Sequence, residues 1–214
     1  MSVAPGWLNV DGSLNALLAA GPRWLHRAAY RFTGSREFYG EETYCRVLEN
    51  NRFVHHNLYY GIPLPDQSAD FVYCSHFLEH LPPEVGRKLL EECRRVLKPS
   101  GVLRVIVPDL ALAWELYKRG DKALMLHDYF FCGEDNVFAR HRYAYDYEML
   151  SELLEAVGFA HVSRREFRQG MTPDVDILDN RPEYSLYVEA SVGRVLEMTA
   201  AQPAIDTSVA VPAS

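Results

Sequence analysis

Within "SHFLEHL" (Ser75 to Leu81), His76, Glu79 and His80 spell H-x-x-E-H, a spacing recorded among zinc peptidases. A zinc site of that kind needs both histidines one turn apart on the same face of a continuous helix, so that two imidazoles converge on one ion. The flanks argue against that helix. His76 follows directly on the strand-like run "ADFVYCS" (69 to 75), and Pro82-Pro83 bias Leu81 out of the α region. At most one turn fits between them, and no third ligand stands at a recognisable spacing, so the expectation is no metal. As acids or bases near neutral pH, His76, His80 and His141 remain; His141 lies in the aromatic-rich stretch "FFCGEDNVFARHRYAYD".

The elements that must position these residues alternate. After the strand at 69 to 75, apolar Val85, Leu89, Leu90, Cys93, Val96 and Leu97 fall on one face of a helix over 84 to 98, which Pro99-Ser100-Gly101 should stop. Val102 to Val107 is nearly all hydrophobic, as in a strand covered on both faces. Asp109 and Asp146 are placed to cap two further helices closing at Gly120 and Gly158. Strand candidates follow at 161 to 167 and 183 to 191, and precede at 7 to 11 and 53 to 58, with a mostly helical insert over 13 to 50. Strands alternating with helices predict an α/β fold with a mostly parallel sheet, in which ligands bind beyond the carboxyl ends of the strands.

Composition narrows the classes. The 214 residues, 48% hydrophobic and 24% charged, predict one soluble globular domain over 1–197. No apolar run approaches the roughly eighteen residues of a membrane-crossing helix, and the start "MSVAPGWLNVDGS" has no basic or apolar leader character. The expected location is cytoplasmic. A net charge of -7, with basic pairs scattered, argues against nucleic acid as a partner. Cys45, Cys74, Cys93 and Cys132 form no C-x-x-C pair and read as reduced core thiols. Residues 198–214 carry too little apolar surface to offset the entropy of ordering and read as a disordered tail.

Taken together, "ADFVYCSHFLEHL", a helix ending "RVLKPSG" and a strand ending "VPDL" resemble the class I S-adenosylmethionine-dependent methyltransferases of the type 11 group. The likeness extends to "GWLNVDGS", "GIPLPDQSADFVY", "HRYAYDYEMLSELLEAVGF" and "SLYVEA". It implies a Rossmann-like sheet with helices on both faces, a C-terminal antiparallel hairpin and S-adenosylmethionine as cofactor. The nearest likeness is to a group found beside glycan and cell-surface polysaccharide genes, which implies a small-molecule or glycan-related acceptor. On this plan Asp11 meets the ribose hydroxyls, or simply turns the chain before Gly12-Ser13. Asn57, where the family usually has aspartate, meets adenine, with Leu58 beside it; Ser75 and His76 approach the methionine end. His76 and His141 are the candidate catalytic bases, the loop 127–145 is the candidate acceptor loop, and Glu79-His80 should introduce the next helix.

One family feature has no counterpart: the glycine-rich turn after the first central strand, for only ten residues precede Asp11 and Leu8 to Val10 already belong to the next strand. That strand is expected to be missing from the middle of the sheet. Two readings follow. In one, Met1 falls just after the glycine loop of a working enzyme, giving a truncated N-terminus; in the other the chain is a degenerate relative, a non-catalytic Rossmann-like interaction module. A nucleotide-dependent oxidoreductase or epimerase on a similar sheet lacks its G-x-G-x-x-G. Ser100 replaces the first glycine of the family's P-G-G, with Gly101 left to take an unusual backbone angle.

Overall fold

A computed structural model describes residues 3–32, 34–37, 39–131 and 140–193. Cys132, part of the expected acceptor loop and the expected tail at 198–214 lie outside the described residues. In chain order the elements are β1 (Leu8–Asp11), α1 (Leu14–Leu18), α2 (Arg23–Phe32), α3 (Glu41–Asn50), β2 (Arg52–His55), β3 (Ala69–Ser75), α4 (Pro83–Val96), β4 (Leu97–Pro108), α5 (Leu110–Arg119), α6 (Lys122–Met125), α7 (Tyr147–Val157), β5 (Ala160–Arg165), α8 (Val175–Leu178) and β6 (Ser185–Ser191). Parallel pairing joins β1 to β2 and β3 to β4, while β6 runs antiparallel to both β4 and β5. This is an α/β, Rossmann-like arrangement, and its antiparallel pair closes the chain as expected.

The sheet comes in two pieces, a two-stranded β1-β2 and a four-stranded β3-β4-β6-β5. Among the described residues nothing pairs with the outer edge of β1 or of β3, which is where the resemblance locates its absent strand. The pieces meet through side chains. Trp7, entering β1, sits edge-on to Tyr73 of β3 with ring centroids 6.3 Å apart, and its indole donates to Asp174.

The main core forms where periodicity places it. Leu89, Leu90 and Cys93 of α4, Leu150 and Leu154 of α7, and Leu103, Val105 and Val107 of β4 are buried together with Leu186 and Val188 of β6. Leu90 is fully buried. Leu90→Ala should therefore lower the unfolding free energy by about 2–5 kcal/mol through lost transfer energy and a residual cavity, checked by urea denaturation. The caps also form: Asp109 accepts from Ala111 and Asp146 from Met149, while Gly120 and Gly158 take the left-handed conformation. Between β1 and β2 the described residues carry α1, α2 and α3.

Two local expectations are corrected. No turn separates α4 from β4: the helix stops at Val96, and Leu97 is already extended and paired with Ala69, so Pro99 to Gly101 lie within strand. Backbone bonds from Gln67 to Arg95 and from Ser68 to Val96 draw the end of α4 onto the approach to β3 and set that boundary. Gly101 does not adopt positive φ. It is required for space, since a Cβ there would stand 2.8 Å from the Leu97 side chain and 3.0 Å from the Lys98 carbonyl.

Candidate active site at the strand ends

β1, β2, β3 and β4 end at Asp11, His55, Ser75 and Pro108, and Asp11, Asn57, Leu58, Ser75 and His76 lie at or just after these ends. Asp11 spends both carboxylate oxygens on Ser13, one on its amide at 2.8 Å and one on its hydroxyl at 2.9 Å. Ser13 in turn caps α1. The turn reading of Asp11 thus holds locally, but a carboxylate oxygen has two lone pairs and each keeps one. Asn57 accepts from the Tyr59 amide and caps the short turn in which Leu58 packs against the main core.

At the end of β3 the backbone is strained. His76 has φ of 49°, a left-handed value uncommon for a residue other than glycine, and its amide still donates to Ile106. The strain turns the imidazole back under the sheet end. There Nδ1 lies 3.3 Å from Glu79 Oε1 and 3.5 Å from the Tyr184 hydroxyl, Nε2 lies 3.2 Å from the Ser185 hydroxyl, and the ring stacks on Tyr184. Ser75 caps nothing. Its hydroxyl is buried, with the Tyr73 hydroxyl near enough to interact with it.

Glu79 and His80 do not introduce α4, which begins at Pro82-Pro83 without a side-chain cap. They occupy a single 3-10 turn, Leu78–His80. Glu79 is 1% exposed, its Oε2 has no partner, and its carbonyl accepts from Arg142 and Tyr143, pinning the segment that holds His141. His141 thereby stands beside His80 with ring centroids 5.1 Å apart. Nδ1 of His80 contacts the Arg140 carbonyl at 3.1 Å, and Nδ1 of His141 the Tyr129 carbonyl at 2.8 Å. Burial holds the His141 imidazole below its ordinary pKa, favouring the neutral ring. Nothing in the spacing joins Tyr129, Tyr184 and Ser185 to this cluster, because their only signal is aromatic or polar character. Beside it, Pro83, Tyr143, Tyr145, Met149, Glu152 and Leu153 line a cavity of about 320 Å³. Cys74, under the same turn, is pushed up to about 12 by burial, so its thiol stays protonated.

A methyltransferase-domain family model matches residues 22–105, which run from α2 through the strained turn into β4. The match covers less than half of the chain, and over that stretch the chain is similar to methyltransferase domains. A probable methyltransferase of Aspergillus luteorubrus is 44% identical over 52 residues, 24% of this chain and 18% of that one, so the match spans under a fifth of the curated relative. Among solved structures, a Thermotoga maritima S-adenosylmethionine-dependent methyltransferase, described as a possible histamine N-methyltransferase, is 18% identical with a TM-score of 0.44, covering 71% of this chain and 68% of that one. A methyltransferase from Archaeoglobus fulgidus is also 18% identical, with a TM-score of 0.46 and coverage of 86% and 85%. The cofactor of the class is S-adenosylmethionine. Residues at the strand ends fit it: Asp11 keeps acceptor capacity for a diol, and the Ser75 hydroxyl is a buried polar atom with room for a further hydrogen bond. No glycine-rich turn stands beside them among the described residues.

Proposed function

We propose that the chain is a cytoplasmic enzyme that binds S-adenosylmethionine across the ends of β1, β2 and β3 and supports methyl transfer to a small-molecule or glycan-related acceptor. The observation that supports it most is the family match over residues 22–105, because it includes the strained Ser75-His76 turn. The bound cofactor supplies a methyl group already activated on a sulfonium. What falls to the protein is alignment and removal of the acceptor's proton.

On this reading Asp11 accepts from the ribose hydroxyls, Asn57 and Leu58 border the adenine, and Ser75 and His76 border the methionine end. His76 positions rather than deprotonates, since both its nitrogens already contact Glu79, Tyr184 and Ser185. His141 is the better proton acceptor: with Nδ1 committed to a carbonyl, its Nε2 carries the lone pair. The aromatic-walled cavity next to Tyr143 and Tyr145 gives an acceptor apolar surface to pack against.

The split sheet favours the second reading, an interaction module that no longer holds cofactor. Titration calorimetry with S-adenosylhomocysteine separates the two. Saturable heat with the full chain is expected; its absence at cofactor concentrations well above the micromolar range overturns the proposal and leaves the module.

A further inference from the structure

The H-x-x-E-H spacing did not predict a metal site, because His76 cannot share a helix face with His80 and no third ligand was visible in the sequence. The fold supplies that ligand from a distant segment. Glu79, His80 and His141 each present a ligand atom, and these atoms all lie within 4.8 Å of one another.

Three independent features make this more than a chance grouping. A backbone carbonyl can only accept, so the contacts of His80 to Arg140 and of His141 to Tyr129 place the proton on Nδ1 and the lone pair on Nε2 in both neutral rings. That is how metal-binding histidines are held, with the far nitrogen donating to an oxygen that fixes tautomer and orientation. Glu79 is 1% exposed and its Oε2 is a buried oxygen without a hydrogen-bond partner. His76 contacts the other oxygen, Oε1, at 3.3 Å and so steadies the carboxylate. His80 Nε2 already stands 3.9 Å from Glu79 Oε1. Ligands about 2.1 Å from a tetrahedral ion sit roughly 3.4 Å apart, so small side-chain rotations close the set.

We propose that Glu79, His80 and His141 bind one divalent transition-metal ion of the zinc type, His76 acting as a positioning residue. Two imidazoles and one carboxylate suit such an ion and leave positions open for an exogenous oxygen. If the methyl-transfer reading holds, that oxygen would belong to the acceptor, coordination would lower the pKa of its hydroxyl, and the proton would leave to solvent water. His141 then acts through the ion rather than as a free base. The ion site itself does not depend on that reading.

Cobalt(II) titrated into the metal-free full chain, followed by visible ligand-field absorption, tests it. Stoichiometric binding displaced by zinc is expected. Glu79→Gln and His141→Gln should each weaken binding on the order of 100-fold, while His161→Gln, at an exposed histidine of β5 outside the cluster, should leave it unchanged. Thermal melts and S-adenosylhomocysteine calorimetry on the same samples separate a lost ligand from a lost fold. If His141→Gln melts early, the near-isosteric Glu79→Gln decides. Absence of saturable binding, unchanged affinity in the Glu79 and His141 variants, or loss with His161→Gln overturns the site. Homocysteine-cofactor binding without metal binding rejects the ion site alone; metal binding without cofactor binding rejects the methyl-transfer reading alone.

Discussion

Replacing Arg104 with methionine should lower the free energy of unfolding by about 3–5 kcal/mol, measured as a fall in the urea midpoint at unchanged slope. Arg104 is fully buried on the sheet face opposite the main core. It grips Asp179 with two bonds, Nε to Oδ1 at 2.9 Å and Nη2 to Oδ2 at 2.5 Å, and reaches Glu189 at 3.2 Å. Both acids have fully buried side chains. Without the guanidinium Asp179 loses its cation in the interior and Glu189 keeps only Arg165, 3.0 Å from Oε2, a large loss against a typical total of about 5–15 kcal/mol. The triple variant Arg104→Met with Asp179→Asn and Glu189→Gln should recover part of it, because the uncompensated charge is then gone.

The same network sets an acid limit. Burial by itself would raise the Glu189 pKa, but bonds from the Met171 and Thr172 amides, with Arg104 beside them, outweigh it and hold the carboxyl below its ordinary value. A depressed folded pKa contributes stability above the unfolded value, and that contribution drains as pH falls through the folded one. Stability should therefore decline below about pH 4, and the decline should be shallower in Glu189→Gln.

Asp11→Ala should cut affinity for S-adenosylhomocysteine on the order of 100-fold or more, since two hydrogen bonds to a charged acceptor are each worth about 1.5–3 kcal/mol. Asp11 also holds Ser13, the cap of α1. A melt shift matching about 1 kcal/mol of lost capping is thus expected alongside. Asp11→Asn, which can still accept one bond, should fall between. Equal affinity in all three proteins would show that Asp11 serves only its turn.

What could be read from the sequence was whatever local chemistry decides. Leu89, Leu90 and Cys93 mark a helix face, Asp109 and Asp146 are caps, and Gly120 and Gly158 are closures, because each depends on residues within a turn or two. The boundary at Val96 was not legible, since it is set by pairing with Ser68 and Ala69. Arg104 sits in an otherwise apolar run, and its partners Asp179 and Glu189 lie 75 and 85 residues away, so nothing in its neighbourhood announces an ion network. In the candidate site, Ser75 and His76 were legible as a strand end, but the positive φ of His76 was not. The grouping of Glu79, His80 and His141 depends on Arg142 and Tyr143 docking on the Glu79 carbonyl, a contact that no spacing rule contains.

Amide chemical shifts of isotope-labelled protein, recorded while S-adenosylhomocysteine is added to saturation, test most directly whether the cofactor lies across the strand ends. Saturable shifts are expected at Asp11 to Ser13, Asn57, Leu58, Ser75 and His76. An unperturbed spectrum, or saturable shifts that spare all of these residues, would contradict the account.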